Sequence, residues 1–437
     1  MLSRSLASRR QPTCLLPVHP QAPPCPPLPA LQRHACKIAQ TSVMNRSVGE
    51  KDTESDIEDL ILAQRYRLGL EPPRQSKFRV VALVFYEETN KESGGFGKTT
   101  HKGHTARSYV VGTNDEPCSI SGSICAERAA LLQLRFIPQL CRITKVVIVT
   151  DAKGFISPGM LCREFLSSHP KICPKSMPLV LGGSMCSVDG CGLDISGCQK
   201  KFEGQEAGEN LGNGPCKHDF RMVRMTLLDL YPNPSPYTRL SSQEAVEKGK
   251  LHMARIADEP LRVLCDDDSS MFSSFRKGRG DLVSLEEMAG RLLDLAVQAS
   301  NRDNRDDLHP IKYGAAVMFS DWTTASAHHK KSLEYGCSLD AVGQLAQAMD
   351  DKCGGGVSGH DGNVDGGTDS VRPVLLIQSD QYGVIHAPFA IGRAFLAEHG
   401  YGDCHVAVLE KKKDAYSYEC IFVKASTLAP TKPNIWA

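Results

Sequence analysis

Apolar residues along this chain change period from one stretch to the next. The run from Ser76 to Phe85, dense in Val80, Val81, Ala82, Leu83 and Val84, reads as a buried strand, and so does Val146-Val147-Ile148-Val149. Residues 53–69 show helical spacing instead. Ile57, Leu60, Ile61, Leu62, Tyr66 and Leu68 follow an acidic start, and Pro72 and Pro73 break the helix. A second apolar helix opens at Ile124-Cys125-Ala126-Glu127 and runs on through Leu131, Leu132, Leu134 and Phe136. Regular structure resumes from Phe220 to Leu230, and Leu285, Met288, Leu292, Leu293 and Leu295 mark an amphipathic helix reaching Ala299. Other stretches lack periodicity. Residues 89–106 read as a long hairpin tip, the Cys- and Gly-rich run 173–218 as a flexible insertion, and Gly354–Gly367 as a low-complexity loop.

From about residue 305 the first pattern returns in degraded form. Pro310-Ile311-Lys312-Tyr313-Gly314-Ala315-Ala316-Val317 echoes the strand that begins near Phe78. Tyr335-Gly336-Cys337-Ser338-Leu339-Asp340-Ala341-Val342 echoes the approach to Cys125. After a strand from Pro373 to Gln378, His386–Leu396 echoes Ser157-Pro158-Gly159-Met160-Leu161-Cys162-Arg163-Glu164-Phe165. Each half alternates buried strands with amphipathic helices. The fold class expected is α/β, two three-layer α-β-α domains in tandem with mixed central sheets. The expected divisions are a leader at 1–50, a helical segment at 51–75, a first domain at 76–240 holding the insertion, a linker and helical segment at 241–304, and a second domain at 305–425.

Composition narrows the function classes. The 437 residues suffice for two sizeable cores, and a formal net charge of +1 implies no polyanionic partner. No apolar run approaches the roughly 18 residues of a membrane span. Seventeen cysteines without a secretory apolar segment point to a reducing compartment with free or metal-bound thiols. The first acidic residue is Glu50, and the Arg-, Ser- and Pro-rich leader before it reads either as a mitochondrial or plastid transit peptide or as sequence upstream of a true start at Met44. Localisation is therefore expected to be cytoplasmic or organellar.

The chemistry gathers at Cys125. A thiol at a helix start is favoured as thiolate by the helix dipole, so Cys125 is placed to hold a metal, with Glu127 beside it. Cys-Ala-Glu, a strand, and then Ser-Pro-x-x-x-Cys-Arg-Glu resembles the zinc-dependent cytidine deaminases, whose signature is His/Cys-x-Glu followed by Pro-Cys-x-x-Cys. The resemblance covers most of 76–240 and, in weaker form, 305–425, in the manner of the two-domain bacterial-type enzymes whose second copy buttresses the first. It implies zinc on Cys125 and Cys162, Glu127 as proton shuttle, and Arg128 offsetting thiolate charge. It places Phe78 against the pyrimidine, and Asn114 and Glu116 on the ribose hydroxyls. It also implies a nucleoside substrate and a homodimer. Read without the family, Phe78 is a core aromatic and the His101/His104 pair is a solvated loop pair that could lend a metal ligand.

One position departs from the signature: Gly159 stands where the family has its first Cys after the proline. A third ligand would then come from the Cys-rich run, from His101 or His104, or from a neighbouring subunit. In the second copy the metal positions become Asp340, Phe389 and Gly392, and the Glu becomes Val342, so no zinc chemistry is expected there. Two functions stay open. One is hydrolytic deamination of cytidine or deoxycytidine, in which zinc makes hydroxide available at neutral pH and Glu127 carries the proton to ring N3. The other is a pseudoenzyme that binds a nucleoside or serves as a structural partner. A nucleic-acid-editing reading wants a basic groove and stacking aromatics, and 6% aromatics with a net charge of +1 give it no support.

Overall fold

A computed structural model describes residues 50–88, 108–152, 155–186, 218–258, 263–265, 284–353, 371–411 and 418–430. All of them fall in one compact unit, Thr41–Ala437. The leader, the 89–106 tip with His101 and His104, most of the Cys-rich run and the Gly354–Gly367 loop lie outside the described residues.

The architecture is mixed α/β, with two mixed sheets and several helices. In the first half the helix α1 (Glu50–Leu68) precedes strands β1 (Val80–Glu88) and β2 (Ser108–Thr113). Helix α2 (Ala126–Gln133), strand β3 (Leu140–Thr150), helix α3 (Met160–Ser168), strands β4 (Pro178–Cys186) and β5 (His218–Thr226) and the short helix α4 (Leu227–Leu230) complete it. The strand order is β2-β1-β3-β4-β5, with only the β3–β4 neighbours parallel.

Strand alternation explains the layers, because successive side chains point to opposite faces. Val81, Leu83 and Phe85 of β1 pack with Leu60 and Ala63 of α1, whereas Ala82 and Val84 pack with α2 and with Leu166 of α3. The α1 interface corrects the apolar stripe read from sequence. Of the six residues named there only Leu60 is buried, and Asp56, Asp59, Gln64 and Arg67 are buried beside it. Asp56 pairs with Lys145 of β3 at 2.9 Å and with Arg224 of β5, and Arg67 pairs with Asp151. Charge pairing, as well as apolar burial, holds this helix to its sheet. The Cys125 helix also ends sooner than expected. Leu134–Phe136 form a 3-10 turn, and Leu132 and Phe136 are exposed. Strand β4 extends into the stretch read as an insertion, since Leu179, Val180 and Leu181 are fully buried at the centre of the sheet.

After helix α5 (Ser242–Asp258), strand β6 (Val263–Cys265) and helix α6 (Leu285–Ser300), the plan repeats. Strands β7 (Tyr313–Phe319) and β8 (Thr324–His328), helix α7 (Ala346–Lys352) and strands β9 (Pro373–Asp380) and β10 (Ile385–His386) come next. Helix α8 (Ala390–Glu398), strands β11 (His405–Lys411) and β12 (Tyr418–Lys424) and helix α9 (Ala425–Leu428) follow. The order β8-β7-β9-β11-β12 matches that of the first sheet pair by pair, again with the third and fourth strands parallel. Strand β6 extends the far edge beside β12, and β10 pairs with β9. Helix α6, read from sequence as part of a linker, is a layer of this half, with Met288, Leu292 and Ala296 packed on β7 and β9.

The two halves meet through α3 and α8, where a pair of arginines is arranged reciprocally. Arg163 donates from Nε to the Pro158 carbonyl (2.7 Å) and from Nη1 to the carbonyls of Leu230 (2.8 Å) and Pro430 (2.9 Å). Arg393 donates from Nε to Pro388 (2.7 Å) and from Nη1 to Leu428 (3.1 Å) and Pro232 (2.6 Å). Each guanidinium thus holds the end of its own half and crosses to the end of the other.

Candidate active site

Helix α2 begins at Cys125, whose extended backbone (φ −84°, ψ 153°) makes it the N-cap and whose side chain makes no capping bond. The thiol is therefore left to face the start of α3, where Cys162 sits in the first turn behind its own N-cap, Gly159. Two helix N-termini converge, and both favour negative charge. The Sγ atoms of Cys125 and Cys162 and a carboxylate oxygen of Glu127 all lie within 4.8 Å of one another.

The electrostatics of this group follow from burial and from the two thiols. A hydrogen bond from Cys162, aided by Arg128, pulls the Cys125 thiol down to about 6 against the effect of burial. The same bond, with burial, pushes Cys162 up, so the pair holds one thiolate and one thiol. Glu127 is 3% exposed, and burial pushes its carboxyl up to about 7. Arg128 reaches Cys125 Sγ at 3.7 Å and donates to the Ser123 carbonyl at 3.0 Å. A softly basic thiolate, a second thiol and a cation beside them are a donor set that suits zinc. Gly159 leaves one position of that set open. A Cβ built there would meet nothing within 4 Å, and among the described residues no other His, Cys, Asp or Glu joins the group.

The remaining sequence-predicted residues form a second group next to the first. Asp115 and Ile124 exchange backbone hydrogen bonds of 3.1 and 3.0 Å, which ties the loop after β2 to the residue before Cys125. Asn114 accepts from the Val80 amide (2.8 Å) and donates to the Phe78 carbonyl (2.8 Å) and to Glu116 (3.3 Å). Glu116 accepts from both the amide and the hydroxyl of Ser76, each at 2.8 Å, and those bonds hold its carboxyl below the usual range. Lys77 adopts φ +59° between these anchors, a left-handed conformation that a non-glycine residue keeps only where its surroundings fix it. Asn114 and Glu116 therefore shape the loop that carries Phe78.

Sequence reasoning did not single out the role of Arg163. The signal was present, because Pro-x-x-x-x-Arg recurs at Pro158–Arg163 and Pro388–Arg393. Nothing in the local sequence marks Glu164 in this way. It is held between the Tyr231 hydroxyl (3.1 Å) and the Ala390 amide (3.3 Å), and so faces the second half.

No protein-family model matches the chain, and no curated protein does. Among solved structures it is similar to a cytidine deaminase from Burkholderia pseudomallei, at 17% identity and a TM-score of 0.24 over 40% of this chain and 94% of that one. It is similar also to cytidine deaminases from Mycobacterium leprae (17% identity, TM-score 0.23, 33% and 98%) and Mycobacterium tuberculosis (18%, 0.23, 32% and 94%). At such TM-scores the likeness does not by itself define the fold.

Proposed function

We propose that the chain is a zinc-dependent hydrolase that deaminates cytidine or deoxycytidine in pyrimidine salvage, built as two deaminase-like domains of which the first carries the chemistry. The observation that carries this reading is the convergence of Cys125, Glu127 and Cys162 at two facing helix starts. Cys125 and Cys162 would hold the zinc, which when bound makes water acidic enough to supply hydroxide at neutral pH. Arg128 offsets the thiolate charge at 3.7 Å from Cys125. Glu127 is the proton carrier, because a carboxyl held near 7 can both take and release a proton at neutral pH. Phe78, in the loop fixed by Asn114 and Glu116, forms a wall for the pyrimidine, and the same two residues meet the ribose hydroxyls. A homodimer is part of this reading.

Gly159 favours a second reading, a deaminase-like protein that has lost turnover and binds a nucleoside or supports a partner. Zinc content and cytidine turnover, measured together on the purified protein, separate the two. The enzyme reading expects about one zinc per chain, turnover in wild type, and zinc retained but turnover lost in Glu127→Gln. The pseudoenzyme reading expects little zinc, no turnover, and zinc recovered in Gly159→Cys, whose side chain enters open space.

A further inference from the structure

Gly159 leaves the first site open on one side, so no side chain at that position shapes the gap. Its outline follows the backbone of residues 157–159, the turn that leads into α3. Proline at 158 fixes one dihedral of that turn and leaves it one amide fewer to tie down. Arg163, directly after Cys162, does the tying. Its amide donates to the Gly159 carbonyl at 3.0 Å, its Nε to the Pro158 carbonyl at 2.7 Å, and its Nη2 to the Ser157 hydroxyl at 2.7 Å. One residue thus holds three successive positions of the turn.

The second half supplies a comparison within the same chain. Pro388 and Arg393 stand at the start of α8 as Pro158 and Arg163 stand at the start of α3. The Arg393 amide donates to the Phe389 carbonyl at 2.9 Å and its Nε to the Pro388 carbonyl at 2.7 Å, so two of the three bonds recur. The third does not. Ala387 stands where the first half has Ser157 and offers no hydroxyl, and Nη2 of Arg393 donates to the Asn233 carbonyl at 2.7 Å. The recurring bonds serve the helix start, which both halves share. The bond to the serine belongs to the half in which Cys125, Glu127 and Cys162 converge.

Arg163 is a rigid anchor for that serine. It is buried, and its Nη1 is fixed on the far side by the Leu230 and Pro430 carbonyls at 2.8 and 2.9 Å. A guanidinium is planar, so bonds on Nη1 and Nε also set the direction of Nη2. A hydrogen bond from a charged donor is stronger than one between neutral groups, so the serine is firmly held. We propose that Ser157 is a positioning residue for the Cys125–Cys162 pair: through Arg163 it fixes the turn beside Gly159, and with it the setting of Cys162 and of the open ligand place. The inference rests on the zinc reading where it concerns the metal, and on the turn alone where it concerns the thiol. The second half, with Gly392 opposite Cys162, has no thiol there to set.

Ser157→Ala gives the first turn the residue with which the second turn already folds, and Ser157→Thr keeps the hydroxyl. Cobalt(II), titrated into the metal-free full chain, reports affinity and, through its absorption bands, the geometry of its ligands. Ser157→Ala should bind cobalt at least about tenfold more weakly and with a shifted band pattern, and Ser157→Thr should restore both. Affinity and bands equal to wild type in Ser157→Ala would overturn the proposal, as would failure of Ser157→Thr to restore them. A second measurement needs no metal. Iodoacetamide should label Cys162 of the folded, metal-free chain at least about tenfold faster in Ser157→Ala than in wild type or Ser157→Thr, because a loosened turn opens more often. Equal labelling rates would overturn the proposal. If wild type takes up no cobalt, the zinc reading fails by itself and the labelling rates decide the role of Ser157.

Discussion

In the second half Asp340 stands where the first half has Cys125, directly after the matching bridges Asp115–Ile124 and Lys330–Leu339. Burial pushes its carboxyl up from 3.8 to about 7, with neighbouring Glu164 adding to the effect. Glu164 is itself raised by burial. The sign of the consequence is fixed. The folded protein keeps a proton that the unfolded chain releases, so the stabilising contribution is complete below about 4 and is lost as pH rises toward about 7. Within that window the slope is about 1.4 kcal/mol per pH unit for one proton. Urea unfolding of wild type and Asp340→Asn at several pH values should give curves whose difference grows through this window and flattens above it. Parallel curves would mean that Asp340 is ionised in the fold. The correspondence was legible in sequence, because the echo of the Cys125 approach put Asp340 opposite Cys125. The surroundings of its carboxyl were not, because they depend on which amides the 340–343 turn and α8 bring near.

Elements place these residues through close backbone contacts. Gly112 on β2 lies so near α2 that a Cβ would fall 2.1 Å from the Ala126 carbonyl oxygen and 2.4 Å from the Ala130 amide. Gly314 on β7 stands in the same relation to α6, 2.0 Å from the Ala296 carbonyl oxygen. These neighbours are backbone and cannot turn aside, so Gly112→Ala should push α2 off the sheet and carry Cys125 with it. A cost of about 1–3 kcal/mol is expected from overpacking, with zinc content lowered in parallel. Thermal melts and metal analysis on the one variant check both parts, and an unchanged midpoint would refute the close approach. Strands β1, β3, β7 and β9 were legible in sequence because each contains an unbroken apolar run, whereas β4 was hidden in the stretch read as an insertion. Helix α1 was read less well. Its buried face pairs Asp56 and Arg67 with partners on β3, β5 and the end of β3, and a periodicity of apolar residues carries no trace of ion pairs that form across 84 to 168 positions.

Over the whole molecule, Arg163 and Arg393 join what the two sheets divide. Burial, with Arg393 nearby, holds the Arg163 guanidinium down to about 10, and the two arginines donate to backbone carbonyls and, from Arg163, to the Ser157 hydroxyl. Arg393→Met would leave Pro388, Leu428, Pro232 and Asn233 carbonyls without this donor, at about 1–3 kcal/mol for each one that stays buried and unpaired. With Trp436, the second tryptophan of the chain, replaced by Phe, Trp322 fluorescence reports the second half, and alkylation of Cys162, followed by peptide mass, reports the first. Both midpoints should fall together in Arg393→Met. A shift confined to Trp322 would show the halves to be independent.

The crossed arginines also separate two kinds of obligation on the second half. Positions 340, 342, 389 and 392 hold Asp, Val, Phe and Gly where the first half has Cys125, Glu127, Gly159 and Cys162, whereas Arg393 and the tail at Leu428–Pro430 grip, and are gripped by, the other half. The second half thus differs from the first at its centre while keeping the same seam. The residues that set the character of that centre are therefore separate from those that join the halves.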